Sequence, residues 1–131
     1  MKQFASSSII AGLVATTFAS SFAAAAAEPS PLGEWARGDG IAKVRIEPCG
    51  SDLCAINTWI RPDVKDEHVG DKLVLSIKRE SPAHWEGTAQ DPQRSRSYKM
   101  TLDVEPTTMT TRGCILAGLL CRGVSWTRIG E

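Results

Sequence analysis

The sequence has no excess charge of either sign and very little histidine. Its 131 residues carry 15 Lys and Arg against 15 Asp and Glu, with only two His. A formal net charge of zero argues against a basic surface for nucleic acid and against a polybasic patch for anionic lipid. With 42% hydrophobic and 23% charged residues, the composition is that of an ordinary globular protein, and the length allows one domain.

Motifs that would carry catalysis or cofactor binding are also missing. There is no G-x-S-x-G element and no glycine-rich phosphate loop opening a helix. His68 and His84 do not stand at a metal-ligand spacing from other ligand types. The sequence therefore predicts no catalytic residue, no metal and no cofactor, and a protein that is not an enzyme.

Two charged segments could be taken for binding sites. The segment 61–71 contains Asp63, Asp66, Glu67 and Asp71, but it lacks the residue order of a calcium loop. We expect it to be a solvated loop. Arg94, Arg96 and Lys99 cluster around a turn, and the neutral charge of the chain favours ordinary surface charge there.

Residues 1–27 have the features of a secretory signal peptide. Lys2 precedes an apolar stretch that runs to Phe18, and a run of small residues, 23–27, offers cleavage sites. We expect a mature single domain, 28–131, in the periplasm or secreted. No apolar run in that part is long enough to span a membrane.

All four cysteines lie in the part predicted to be exported, where disulfides form readily. Four cysteines allow three pairings. We favour Cys49 with Cys54 and Cys114 with Cys121, because each pair brackets a short glycine-containing loop between predicted strands. A four-Cys zinc site is the alternative, but gaps of four and six residues exceed the usual ligand spacing.

Alternation of apolar and polar residues is the dominant pattern after residue 27. It is clearest where Tyr98, Met100, Leu102 and Val104 alternate with polar residues. Similar segments are 42–47, 72–78 and 85–90, with weaker ones around Trp35 and at 54–60, 108–114 and 122–129. Turn signals separate them at short intervals. The sequence predicts an all-β fold, a small antiparallel barrel of about eight strands.

The two ends of this region carry a further pattern. Gly33-Glu34-Trp35 opens the first predicted strand, and Trp126-Thr127-Arg128 closes the last. This arrangement resembles the lipocalin (calycin) pattern. The resemblance implies that Gly33, Trp35, Trp126 and Arg128 are structural, with Trp35 packed under a basic side chain of the final strand.

More of the chain resembles the bacterial exported family called Domain of Unknown Function 2147. The resemblance rests on Gly33-x-Trp35, Ile46 to Cys54, Trp59-Ile60, Trp85-Glu86-Gly87, Asp91-Pro92, Tyr98, Arg112-Gly113-Cys114 and Trp126-Thr127-Arg128. It implies a small lipocalin-like β-barrel at the periplasm or cell surface, without pointing to an activity.

A closed barrel offers an interior, which is either packed or a ligand cavity. Large or adaptable side chains on strand-like segments are the candidate ligand-binding residues: Trp59, Trp85, Tyr98, Met100 and Met109. On this basis the predicted function is non-catalytic binding of a small hydrophobic ligand.

The alternative is an envelope protein-interaction module, an inhibitor or adaptor acting through exposed loops such as 61–71 or the apolar connection 115–120, with a partner that the sequence does not identify. Four large apolar side chains on that connection are unusual for a solvated turn. We expect the connection to fold back and plug one barrel end.

Overall fold

The computed structural model describes residues 12–23 and 27–131. Residues 1–11 and 24–26, which include the start of the predicted apolar stretch and part of the small-residue run, lie outside the described residues. Within 12–23 the chain forms no helix or strand. Among the residues described, no helix is both long and apolar enough to cross a membrane.

Eight strands make up the body of the molecule. They are β1 Gly33–Arg37, β2 Ala42–Cys49, β3 Asp52–Ile60, β4 Lys72–Ser81, β5 His84–Asp91, β6 Arg96–Val104, β7 Thr108–Ile115 and β8 Leu120–Gly130. Each strand pairs antiparallel with the next, and β8 pairs with β1 to close the barrel. The predicted all-β fold with about eight strands is confirmed.

The alternation in the sequence sets which side chains fill the interior. In β6 the side chains of Leu102 and Val104 are buried while Lys99 and Asp103 are exposed. The same period of two appears in most of β2, β5 and β7. A core cluster results, with Trp35, Val44, Ile46, Trp85, Leu102, Val104 and Met109.

The antiparallel meander gives the barrel two distinct ends. The connections 38–41, 61–71, 92–95 and 116–119 lie at one end, here called the upper end. The short turns 50–51, 82–83 and 105–107 lie at the other, the lower end, together with the start of β1. Long connections are therefore confined to the upper end.

Trp35 and Arg128 close the lower end. Trp35 is fully buried, and the guanidinium carbon of Arg128 lies 4.2 Å from the centre of its ring. Arg128 also donates hydrogen bonds to the backbone carbonyls of Ser30, Leu32 and Pro106, at 2.7, 2.7 and 3.0 Å. The predicted contact between Trp35 and a basic side chain of the last strand is confirmed.

The backbone around residue 33 requires a glycine. Its φ is +121°, and a Cβ at this position would lie 2.7 Å from both Arg128 Nη1 and the carbonyl oxygen of Gly130. A larger residue would displace the arginine or the end of β8.

A second stack of arginine on tryptophan lies at the same end and was not predicted. The guanidinium carbon of Arg79 lies 4.7 Å from the ring centre of Trp85. Arg79 is in turn bonded to the Glu28 carboxylate and donates to the Pro29 carbonyl oxygen at 2.9 Å. The lower end is thus covered by two cations that also hold the segment before β1.

The cysteines form two disulfides in the predicted pairing. Cys49 is bonded to Cys54 at the lower end of the β2–β3 hairpin, and Cys114 to Cys121 at the upper end of the β7–β8 hairpin. The Cα separations are 5.7 and 4.1 Å. Because the bonds take up all four sulfurs, a four-Cys zinc site has no ligands.

Candidate functional site

The barrel interior contains a cavity of about 300 Å³. Its walls are mainly apolar, with side chains from Val44, Ile46, Ala55, Leu73, Leu75, Tyr98, Met100, Leu102, Met109, Val124 and Trp126. Its charged lining residues come from the upper end. The interior is therefore apolar in depth and polar at its mouth.

Three of the five predicted ligand-binding residues line this cavity. They are Tyr98 and Met100 on β6 and Met109 on β7. Met109 is fully buried, whereas Tyr98 and Met100 are half-buried. These three side chains belong to one wall, since β6 and β7 are neighbours in the barrel.

Trp59 does not line the cavity because of a break in the β2–β3 pairing. Lys43 pairs with Trp59, but the next residue, Val44, pairs with Asn57, so β3 carries an extra residue at this point. Such a bulge reverses the alternation. Asn57, two residues after Ala55, still faces the cavity, whereas Trp59, beyond the bulge, is 39% exposed and has the Lys43 Nζ 5.5 Å from its ring centre.

Trp85 also lies outside the cavity lining. It is buried in the core cluster on β5, close to the lower end, where Arg79 covers its ring. Its role in this structure is packing. Trp126, predicted to be structural, packs against the core cluster and also forms part of the cavity wall, and its indole nitrogen donates to Thr111 Oγ1 at 3.0 Å.

The mouth of the cavity is organised by two arginines that hold the loop 61–71. Arg37, at the end of β1, makes two hydrogen bonds to the Glu67 carboxylate, at 3.0 and 2.8 Å. Arg94 bonds the carbonyl oxygen of Asp66 and lies 3.5 Å from the Asp71 carboxylate. Most residues of the loop are exposed, as expected of a solvated loop, and in addition distant residues tie it across the barrel end.

Asp91 anchors the other side of the mouth. It is 4% exposed and accepts hydrogen bonds from the side chains of Arg94, at 3.0 Å, and Gln93, at 2.8 Å. Burial by itself would raise the pKa of this carboxyl, but the bonds from Arg94 and Gln93 outweigh it and hold the pKa below its ordinary value. Asp91 is therefore ionised and fully engaged in structure.

Arg37 is similarly fixed. Its hydrogen bonds to the Glu67 carboxylate raise its pKa further, against the opposing effect of burial. Gln93 completes the arrangement by accepting from the Lys72 amide at 3.0 Å and donating to the Lys72 carbonyl oxygen at 2.8 Å. The mouth is thus a preformed network rather than a set of mobile side chains.

Two cations at the mouth stand apart from this network. Arg122 on β8 and Lys72 at the start of β4 line the cavity, and neither forms an ion pair with a carboxylate in the described part of the chain. Asp39, the carboxylate that feels the charge of Arg122, is already bonded to Arg37. Their ammonium and guanidinium groups are available to an anion.

The histidines lie outside the cavity. His84 is on the outer wall, with Nδ1 2.6 Å from Asp103 Oδ1 and Nε2 2.9 Å from Glu86 Oε1. The bonds to Glu86 and Asp103 raise the pKa of His84. His68 belongs to the loop 61–71, with its side chain 72% exposed.

A comparison with protein families gives one match. The model of a family described as "Uncharacterized protein conserved in bacteria (DUF2147)" matches residues 33–128. This span begins at Gly33 and ends at Arg128, so it takes in the closure of the lower end and all the residues of the cavity. No curated protein and no solved structure matches the chain.

Proposed function

This chain belongs to the DUF2147 family of proteins conserved in bacteria, and we propose that its barrel binds a small, mostly apolar ligand with an anionic end, without transforming it. The observation that carries the proposal is the cavity, with apolar walls in depth and a charged mouth. Ligand sites in proteins are typically preformed, mostly apolar clefts of about 300–1,000 Å³ with a few convergent polar groups.

The volume sets the size of the ligand. About 300 Å³ equals roughly ten molecules of liquid water, so the cavity holds about ten non-hydrogen atoms. Each methylene transferred from water into the apolar part contributes about 0.8 kcal/mol, or about fourfold in affinity. A linear alkyl chain capped by one polar group fits this interior.

The mouth favours an anionic end on that ligand. The lining contains four cations, Arg37, Lys72, Arg94 and Arg122, against three carboxylates, Glu67, Asp71 and Asp91. Because the carboxylates are bonded to Arg37 and Arg94, the surplus charge belongs to Lys72 and Arg122.

Binding without chemistry is supported by the state of the titratable groups. Asp91 is held ionised by its partners, which makes it a poor proton donor. His84 is engaged on the outer wall.

We also propose that the protein is exported and that residues 1–27 are removed. The disulfides Cys49–Cys54 and Cys114–Cys121 support this proposal, because disulfides persist in oxidising compartments outside the cytoplasm. Finding the intact chain in the cytoplasm, its mass unchanged, would argue against export.

Titration calorimetry with a series of straight-chain carboxylates tests the binding proposal. We expect affinity to rise about fourfold per methylene from hexanoate to octanoate, then level off as the cavity fills. Octanol should bind roughly two- to fivefold more weakly than octanoate, since an exposed ion pair contributes up to about 1 kcal/mol. Absence of binding by every carboxylate of the series and by octanol would refute the proposal.

The alternative function, an interaction module acting through loops, is favoured by one observation. The connection 115–120 does not fold back over the barrel. Leu119 is 83% exposed and Leu116 63% exposed. The expectation of a plug is therefore wrong, and this surface needs an explanation of its own.

A further inference from the structure

The connection between β7 and β8 presents aliphatic side chains to solvent at the upper end. We call residues 115–120 the apolar tip. Its exposed side chains are Ile115 at 37%, Leu116 at 63%, Leu119 at 83% and Leu120 at 56%. Large side chains exposed together on a short connection mark an interaction surface more often than isolated ones do.

The backbone holds the apolar tip in an unusual shape. Leu116 and Ala117 have φ of +53° and +55°, in the left-handed region that side chains other than glycine rarely adopt. The Cys114–Cys121 disulfide closes the base of the tip, and the Leu119 amide donates to the Leu116 carbonyl oxygen at 3.1 Å. These constraints keep the leucines exposed to solvent, where their side chains contribute no hydrophobic burial to the fold.

Cations surround the apolar tip. Lys99 on β6 pairs in register with Cys114, and Arg112 on β7 lies two residues before it, both exposed on the outer wall. Arg122 follows the tip on β8. We call these three residues the cationic belt. None of them forms an ion pair with another described residue.

Carboxylates are few in this part of the molecule, and Asp39, which feels the charge of Arg122, is itself bonded to Arg37. Between residues 92 and 130 the sequence has two, Asp103 and Glu105, and both lie towards the lower end, at the β6–β7 turn. At the upper end, Asp63, Glu67 and Asp71 sit on the other long loop and face Arg61, Arg37 and Arg94. A chain of zero net charge therefore has a cationic side next to an apolar tip.

We propose that the apolar tip and the cationic belt dock on a lipid bilayer that carries anionic head groups. Aliphatic side chains inserted at the level of the acyl boundary, with basic side chains among the phosphates, are the combination that binds proteins to such surfaces. The belt supplies the charge complementarity, and the tip supplies the apolar insertion. A protein partner would more typically be met by aromatic anchors, which the tip lacks.

Docking in this way would bring the cavity mouth to the lipid surface, because both lie at the upper end. The two proposals share Arg122, which lines the cavity mouth and also belongs to the belt, but they can be tested separately. The cavity can bind a carboxylate in solution whether or not the tip meets a membrane, and the tip can dock with the cavity empty. A negative result with vesicles would therefore leave the ligand-binding proposal standing, and a negative result in the calorimetry would leave the docking proposal standing.

Co-sedimentation with vesicles tests the docking. The experiment uses the disulfide-bonded protein purified from the cells that produce it. We expect at least tenfold tighter binding to vesicles of equal phosphatidylglycerol and phosphatidylcholine than to phosphatidylcholine alone, and loss of the difference at high salt. Leu119→Ser with Leu120→Ser should weaken binding to the anionic vesicles at least tenfold. A circular dichroism spectrum and unfolding midpoint like those of the wild type show that the variant is folded.

A matched pair of single variants tests the belt. Arg112→Gln and Lys78→Gln each remove one exposed positive charge, but Lys78 lies on β4, across the barrel. Near an anionic surface one basic residue contributes about fivefold in affinity, so Arg112→Gln should show that loss and Lys78→Gln should not.

Equal binding to neutral and anionic vesicles, or binding unchanged by the Leu119 and Leu120 substitutions, would overturn the proposal. The proposal would also be overturned if the barrel protein did not bind vesicles but bound a protein partner through these leucines.

Discussion

At the scale of single residues, Arg128 connects three parts of the chain. Its side chain is 13% exposed, stacks on Trp35 and satisfies carbonyl oxygens before β1 and in the β6–β7 turn. Together with Arg79, the arginine therefore covers the end of the barrel at which the strands are joined only by short turns.

Replacing Arg128 should cost far more stability than replacing another arginine. Arg128→Ala removes the cation–π contact and leaves three carbonyl oxygens without their donor, so we expect a loss of about 2 to 4 kcal/mol. Arg112→Ala, on the outer wall, should change the free energy of unfolding by less than about 0.5 kcal/mol. Urea denaturation measures both. If the two variants were equally stable, Arg128 would not close the barrel end as described.

His84 makes stability depend on pH. Its pKa in the folded protein is raised above 6.5 by Glu86 and Asp103, so the charged imidazole stabilises the fold. That contribution is fully present below about pH 6.5 and disappears as pH rises through the raised pKa.

The effect can be measured as the difference in urea midpoint between wild type and His84→Gln. We expect the advantage of the wild type at pH 5.5 to shrink by pH 8.5. In a background carrying Glu86→Gln and Asp103→Asn, the same comparison should be nearly independent of pH. A difference of constant size in the original background would show that the two carboxylates do not act on His84.

At the scale of elements, the strands were predictable wherever alternation is regular. The pattern of Tyr98, Met100, Leu102 and Val104 defines β6 and its inner face directly. β3 is different, since the extra residue near Thr58 reverses the alternation and turns Trp59 outward. A bulge depends on how two strands pair, and the sequence of one strand does not show it.

The loops were less predictable because their partners are far away in sequence. The loop 61–71 has a solvated composition, yet Glu67 is bonded to Arg37, 30 residues earlier, and Asp66 to Arg94, 28 residues later. The disulfide pairing, by contrast, followed from short hairpins, which bring Cys49 close to Cys54 and Cys114 close to Cys121. Local geometry was accessible from the sequence, and long-range pairing was not.

At the scale of the whole molecule, net charge and composition do not reveal two features, the distribution of charge over the surface and the state of the barrel interior. Zero formal charge gives no sign that cations gather around the apolar tip while most carboxylates lie elsewhere. Nor does composition say whether an eight-stranded barrel is packed or hollow, because its width is just enough for either. Only the register of all the strands fixes the cavity.

The most direct test of the cavity uses two glycines on adjacent strands. Gly113 on β7 lines the cavity, and a Cβ there would meet Met100 Cε and Tyr98 Cβ at 3.9 Å, which leaves room for a side chain to enter the interior. Gly123 on β8 is exposed on the outside. Gly113→Val should therefore fill the interior, and Gly123→Val adds the same atoms to the outer wall.

Titration of both folded variants with octanoate is the measurement. We predict that Gly113→Val weakens binding at least tenfold while Gly123→Val binds as the wild type does. Octanoate bound equally well by both variants would contradict a ligand site inside the barrel.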